Sequence, residues 1–401
     1  MNRASMVRLA SLGIIGLSAA LLIAAVLLTT YTAGKIEKIP LDIDQTLVSS
    51  GTGTALDPTS LSAGPGAKFV VDKNVPVVSQ QAMTVETPAN AEVVTFQVGT
   101  TVRRSDKQKD SGLLLAMVDT VTLNRSTAEA VSDEDRPGGS VQKPRTIEDN
   151  KPPTNIALPH EGLSYRFPFN TEKKSYPYFD PIAQKAFDAN YDGEDDVNGL
   201  TTYRFTQNVG YDADGKLVEP LKYASLYDKS EDADVTARAE LWGIPDVDPY
   251  EPITMTRFYA AQRTFWVDPV SGTIVKAEER ANHYYARDPL KPEMALADYK
   301  VTSTEQTVES QVAAARAERD RVALWSRILP ISLASTGVVA MIGATLLGLF
   351  SVRVESAMAE PGEDDIDIGL FGRDETGPMP AAQAPTEKIP TRRPESPPSQ
   401  Q

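Results

Sequence analysis

The chain has no cysteine among its 401 residues. That removes disulfides, thiolate metal sites and cysteine nucleophiles together. Histidine is nearly missing too: His160 and His283 are the only two, far apart in sequence. His160 follows Pro159 in a loop-like stretch and His283 lies in a strand-like one, and each reads as an ordinary polar residue. No Gly-x-Ser-x-Gly elbow, phosphate loop, HExxH or dinucleotide fingerprint is present. Carboxylates are abundant, so paired carboxylates arise by chance, and an enzyme is not expected. Positive charge is in deficit: 40 Lys+Arg stand against 55 Asp+Glu, a formal net charge of −15. Phosphate backbones are held largely by Lys and Arg, so no nucleic-acid partner is expected.

Two stretches lack charge altogether. Leu9–Thr30 reads LASLGIIGLSAALLIAAVLLTT. As a helix it is roughly 33 Å long, enough for a hydrocarbon core of about 30 Å. A cleaved signal would have a shorter apolar core and small residues before the cut. The best cut, after Ala33, puts Tyr31 at the −3 position, so an uncleaved anchor over 9–32 is expected. Ile328–Val352 is the second span, over 328–352, with Pro330 near its start. Its Gly337, Gly343 and Gly348 allow close helix contact or merely relax a lipid-facing helix, and they keep no strict four-residue spacing. Arg3 and Arg8 place residues 1–8 in the cytoplasm by the positive-inside rule. The second span then returns the C-terminus to the same side. Arg316, Arg319, Arg321 and Arg327 oppose this orientation; the first helix is taken to decide.

Between the spans lies an extracytoplasmic region, 33–327, of about 290 residues, enough for a sizeable core without disulfides. Residues 41–67 are rich in Gly, Ser, Thr and Pro and read as extended chain or short strands. In Glu92–Arg103, Val94, Phe96, Val98, Thr100 and Val102 recur at period two, a strand pattern. With the apolar Leu113–Leu123 it predicts a hairpin across the polar turn Arg104–Gly112. Ser126–Thr154 reads as a long mobile loop. Eleven of the Phe and Tyr residues fall between Tyr165 and Tyr211, so the main core is expected to begin there. Thr254–Val267 and Gly272–Tyr285 read as strands joined at Asp268–Gly272, and Leu296–Thr302 as another. GLSYRF from Gly162 and GLTTYRF from Gly199 read as two strands starting after glycine turns. Residues 304–327, rich in Ala, Glu, Gln and Arg without Gly or Pro, predict a helical stalk. The tail, 353–401, is acidic, then proline-rich, and predicts a disordered cytoplasmic end. The fold class expected is α+β: an antiparallel β-rich domain flanked by two transmembrane α-helices.

One local motif points to a cofactor. In DANYDGEDDVNG, Asp188, Asn190, Asp192 and Asp196 stand at positions 1, 3, 5 and 9 of a calcium loop, with Gly193 at the sharp turn. Position 12 should be a bidentate Glu and is Gly199. The alternatives are a calcium site and a plain structural turn; apart from this, no cofactor is expected.

The layout carries a resemblance. The collar KIEKIPLDID follows the first span; YPYFD, YDGEDDVNGLTTYRF and FWVDPVSGTIV follow in the exported region; the second anchor closes it. Over residues of about 1–353 this resembles the actinobacterial porin PorA family. The resemblance implies a non-enzymatic envelope-biogenesis factor of the inner membrane. It would assist trafficking of a trehalose monomycolate-like glycolipid and polar growth beside an RND-type exporter. Outer-membrane porins are closed barrels of alternating strands. Two fully apolar helices would instead hold this chain in the inner membrane, and their few Ser and Thr do not make a pore lining. Aromatic and β-branched strands can enclose an apolar cavity for a lipid or form a solid core. In the second case the protein would be a membrane-anchored scaffold. A channel and a carboxylate-based glycolipid hydrolase are the remaining, less favoured readings.

Overall fold

A computed structural model describes residues 3–61, 68–132, 138–142, 145–146, 155–223 and 234–358. The tail reading beyond residue 358, and about half of the loop reading over Ser126–Thr154, lie outside the described residues; within that loop Gly139–Gln142 and Arg145–Thr146 are instead short strands, held by pairing with Leu113–Asn124.

Helix α1, Arg3–Ile36, leads into fifteen strands and returns through α2, Glu305–Ala323, and α3, Leu329–Met358. The strands are β1 Asp44–Leu56, β2 Val71–Glu86, β3 Val93–Arg104, β4 Leu113–Asn124, β5 Gly139–Gln142, β6 Arg145–Thr146, β7 Asn155–Ala157, β8 Tyr176–Asp180, β9 Lys185–Val197, β10 Leu200–Val209, β11 Leu221–Lys222, β12 Asp234–Arg238, β13 Pro252–Val267, β14 Ile274–Ala286 and β15 Met294–Ser303. They form one antiparallel sheet in the order β7-β5-β4-β3-β2-β1-β15-β14-β13-β10-β9-β8, with β6, β11 and β12 attached at its sides. The α+β expectation holds. The sheet coils on itself. Leu163 bridges both Glu129, beyond β4, and Tyr178 of β8, so the two ends of the sheet approach each other.

The β3–β4 hairpin forms with Val98 opposite Asp119. The β13–β14 turn closes where Asp268 accepts Gly272 N–H through its carbonyl at 2.8 Å. Gly272 has φ +74°, and a Cβ there would meet the carbonyl oxygen of Phe167 at 2.1 Å, so glycine is required. Of the two glycine-led segments only 200–209 is a strand. In 163–167 only Leu163 makes isolated bridges, and Tyr165 with φ +61° breaks the pleat.

α2, a π-helical turn Leu324–Ile328 and α3 run without a break. Pro330 is therefore inside a continuous helix rather than at its start. Proline removes an amide donor and clashes with the carbonyl four residues back, and a wider turn is a standard accommodation. α1 and α3 are both long and apolar enough to cross a membrane. They pack through small residues spaced by seven: Ser11, Ser18 and Ala25 on α1, Ala344 and Ser351 on α3, all buried. Gly337 continues the α3 series; a Cβ there would stand 3.1 Å from Ser18 O and from Leu22. Gly348 faces Ser11, whereas Gly343 has open space around it. Such small-residue seams let helix backbones approach where lipid offers no hydrophobic drive for association. Tyr31 and Trp325, 64% and 40% exposed, sit at the domain-side ends of the helices, where aromatic rings anchor at headgroup level.

Candidate functional site

Inside the coiled sheet is a cavity of ≈ 210 Å³. One water needs roughly 10–15 Å³ by the same kind of measure, so this is no packing defect. A larger hollow, ≈ 440 Å³, lies in a shallow polar dish over Thr52, Gln262 and Lys300, and offers little enclosure. The inner cavity is the candidate site.

Its walls come from alternate positions of the strands, as the pleat demands. β1 contributes Gln45, Leu47 and Ser49; β2 Ser79, Gln81 and Met83; β3 Phe96, Thr100 and Val102; β4 Leu115, Met117 and Asp119. Ser49 pairs with Ser79 and Gln81 with Thr100, so polar residues form a belt across β1, β2 and β3, with Met117 of β4 beside Thr100. The facing wall includes Tyr178, Phe179, Ile182, Arg263 and Phe265. α2 closes the side. Its Gln311, Ala314 and Glu318 line the cavity. Val308, Val312 and Ala315, on another face of the helix, pack on Val197, Leu200 and Val275.

Charge in the wall is tied in place. Arg263 donates to Asp180 at 2.7 Å, to Glu279 at 2.8 Å, to the Tyr259 hydroxyl at 2.9 Å and to Gln207 at 3.2 Å. Asp180 is fully buried and also accepts the amides of Ile182 and Ala183. Burial opposes the Arg263 charge, but Asp180, Tyr259 and Glu279 outweigh it and hold its pKa above the ordinary value. Burial likewise raises the Tyr259 hydroxyl. Asp119 accepts the Tyr165 hydroxyl, and His160 Nε2 lies 3.0 Å from it. Burial first, and then Asp119, hold the Tyr165 pKa well above its ordinary range. His160 Nδ1 is 3.2 Å from Ser164 Oγ, and its ring stacks on Phe179 at 3.9 Å. This cluster latches β4 to the 160–166 segment. Arg166 and Glu318 pair across the cavity from α2.

The structure does not gather the calcium-loop residues. Asp188, Asn190, Asp192 and Asp196 lie along β9, a strand of about 3.3 Å per residue, so the first and last are separated by roughly 26 Å. Asn190 accepts from Ser175, Asp192 pairs with Arg204, and Asp196 accepts the amide of Gly199. The physical reason is the hairpin: Asn198 and Gly199 have φ +51° and +75°, both positive as a two-residue type I′ turn requires. Asn-Gly between alternating residues is the signal that outweighs the calcium spacing. Among the described residues no group of three His, Asp or Glu is placed to hold a metal ion.

The sequence reading passes over Arg166, Asp180, Arg263 and Glu279. One signal is legible in retrospect: Arg263 shares its parity with the inward Phe265 and Val267 of β13.

His283 is 3% exposed, and among the described residues neither ring nitrogen has a hydrogen-bond partner. Burial, then Arg257 and Arg263, push its pKa well below the ordinary 6.5. It is neutral when folded, so below pH 6.5 the unfolded chain binds the extra proton. Its contribution is full above that pH and is lost as pH falls, by about 1.4 kcal/mol per unit. Urea unfolding of the wild type and His283→Phe between pH 7.5 and 5.5 is expected to show a shallower pH slope in the variant. Equal slopes would refute this assignment.

A model of the porin PorA family matches residues 10–346. The porin PorA of Corynebacterium amycolatum is 31% identical over 312 residues, covering 69% of this chain and 78% of its own. That of Corynebacterium resistens is 28% identical over 325 residues, covering 68% and 76%. With the whole of the coiled sheet and most of both apolar helices inside the matched region, the chain belongs to the porin PorA family.

Proposed function

We propose that the protein is a non-enzymatic, membrane-anchored lipid-binding factor of the cell envelope, and that its cavity takes one amphiphile. The observation that carries this is the cavity's position and lining. Glu318 lines it only six residues before the π turn at Leu324, about 9 Å along the helix. The cavity thus lies close above the membrane surface. Its wall mixes apolar residues such as Leu47, Val102, Leu115 and Ile182 with a polar belt, which suits a molecule with a chain and a polar head. Burying the chain stabilises the complex by about 0.8 kcal/mol per CH₂.

In this reading the chain sits in the inner membrane, with both termini cytoplasmic and the sheet domain outside. It exchanges lipid with the bilayer or with an RND-type exporter. The family resemblance adds a trehalose monomycolate-like glycolipid as cargo. The relatives' name, porin, would call for a lumen. Within one chain, α1 and α3 close on each other through Ser18 and Gly337, which favours lipid binding over conduction by a single copy. Against hydrolysis stands the occupation of the cavity carboxylates: Glu279 holds Arg263, and Asp119 holds Tyr165.

Native mass spectrometry with lipid extraction tests the reading on the full chain purified from its host. A lipid bound at near one-to-one, surviving removal of the surrounding detergent, is the expected result. A lipid-free mass would favour the scaffold.

A further inference from the structure

We propose that the membrane-facing base of the sheet domain binds anionic phospholipid headgroups through a collar of Lys35, Lys38, Arg125, Arg321 and Arg327. The collar is separate from the cavity and does not depend on what the cavity holds.

Elsewhere in the domain cations meet acids: Arg104 meets Asp72, Arg204 meets Asp195, Arg263 meets Asp180 and Arg287 meets Glu293. At the base they do not. Among the described residues none of the five collar cations forms an ion pair. Such acceptors as they have are neutral. Lys35 Nζ donates to the Tyr31 hydroxyl and Lys38 Nζ to Ala91 O, each at 2.6 Å. Arg125 donates to Ile39 O at 2.8 Å and to Asn90 O at 2.9 Å. Arg321 and Arg327 are exposed, and among the described residues neither has a hydrogen bond. Glu37, the acid between the two lysines, accepts from Asn170 at 3.0 Å instead.

The fold brings these charges to one level. The Ile39 amide donates to Arg125 O at 2.9 Å, and Ile39 and Val322 are buried in the same core cluster. The chain after α1, the chain after β4 and the end of α2 therefore meet there. α1 also packs against the π turn. Arg321 precedes that turn by three residues, about 4.5 Å of helix, and Arg327 lies within it, beside the ring of Trp325 at headgroup level. Burial, and then the charge of Arg321, lower the Arg125 pKa, so the two guanidinium groups feel each other. Neighbouring guanidinium groups with no carboxylate between them call for an anion from outside the chain. At this level that anion is the phosphate of a lipid, which a guanidinium holds with two parallel hydrogen bonds.

The collar also accounts for the arginines that oppose the orientation. Arg316 donates to Asn198 O at 2.7 Å and Arg319 pairs with Asp268 at 3.4 Å, so both serve the sheet domain. Arg321 and Arg327 are left for the membrane surface. Glu318 of the cavity wall lies three residues before Arg321, so an anionic grip at the collar holds the cavity at the headgroup layer.

The test places the full chain in nanodiscs of equal phosphatidylcholine and phosphatidylglycerol, and native mass spectrometry reads the lipids retained on release. Wild-type protein is expected to retain phosphatidylglycerol in excess. A basic residue near a membrane surface is worth about fivefold in binding, so Arg321→Gln with Arg327→Gln is expected to lower the ratio of anionic to neutral lipid by about tenfold or more. Cations at the opposite membrane face add the same background to both proteins. Arg321→Lys with Arg327→Lys is expected to restore most of the ratio, which a merely structural role would not do. Lys291→Gln, 81% exposed at the far end of β14, is expected to change nothing. Equal retention of the two lipids by the wild type overturns the proposal without any variant. So does a ratio that the glutamine pair leaves unchanged, or one that Lys291→Gln lowers as much. Each of these outcomes leaves the cavity reading standing.

Discussion

Ala314→Trp is expected to empty the cavity of lipid while leaving the fold intact. Ala314 lines the cavity from α2 yet is exposed, so it is a rim position and not part of the helix-to-sheet seam. That seam is made by Val308, Val312 and Ala315, which the substitution does not touch. An indole at the rim reaches into a space of ≈ 210 Å³ and competes directly with any occupant. Lipid recovered per protein is expected to fall at least about tenfold, since losing the burial of even two CH₂ groups at about 0.8 kcal/mol each exceeds that factor. Surface substitutions away from packing features usually move stability by no more than about 0.5 kcal/mol. Quantitative lipid extraction, paired with a denaturant midpoint, checks both halves. Unchanged lipid content in a folded variant would mean that the bound lipid sits elsewhere, most simply along α1 and α3.

The largest stability loss is expected from Arg263→Ala. Among the described residues the guanidinium is the one cation in contact with the fully buried Asp180, and it also holds Glu279, Tyr259 and Gln207. Removing one partner of a buried pair leaves an uncompensated charge and costs about 3–5 kcal/mol. In a domain of this size that lowers Tm by on the order of 10 °C. The double substitution Arg263→Met with Asp180→Asn is expected to recover much of the loss, because the fully buried Asp180 charge is removed with its partner and only the part-exposed Glu279 is left unpaired. Thermal unfolding of the full chain decides. A single-variant cost below about 1 kcal/mol would show that water reaches Asp180 and that the network is solvated.

The same network shows where sequence reasoning runs short. The β3–β4 hairpin is legible because Phe96, Val98 and Val102 all face inward at period two. The β13–β14 turn is legible from Asp268-Pro-Val-Ser-Gly272. β2 is not, although Val75, Val77, Ser79 and Met83 are all inward and buried, because serine and glutamine stand in the middle of its inward face. Arg104 reads as the start of a polar turn. In the fold it is 2% exposed, held by Asp72 at 2.9 Å and Asp106 at 2.7 Å, and the acids that bury it come from another strand and a turn. The calcium spacing along β9 misleads for a related reason. Carboxylates at alternate positions converge in a loop but spread along a strand, and the two-residue turn at Asn198-Gly199 makes the strand.

What the sequence determines by itself is whatever a single segment can settle. Charge-free runs long enough to span a bilayer, antiparallel strands of alternating character and the helical 305–323 stretch each follow from local periodicity and propensity. The family also follows, since it is carried by short strings along the chain. The cavity was decided only by the tertiary structure. Gln45, Ser49, Ser79, Gln81, Thr100 and Asp119 look, strand by strand, like breaks in an apolar pattern. Sheet register sets them side by side, the coiling of the sheet turns them inward, and α2 covers them. Polar residues on an inner face do not pack as a solid core, so the walls stand apart and enclose a cavity.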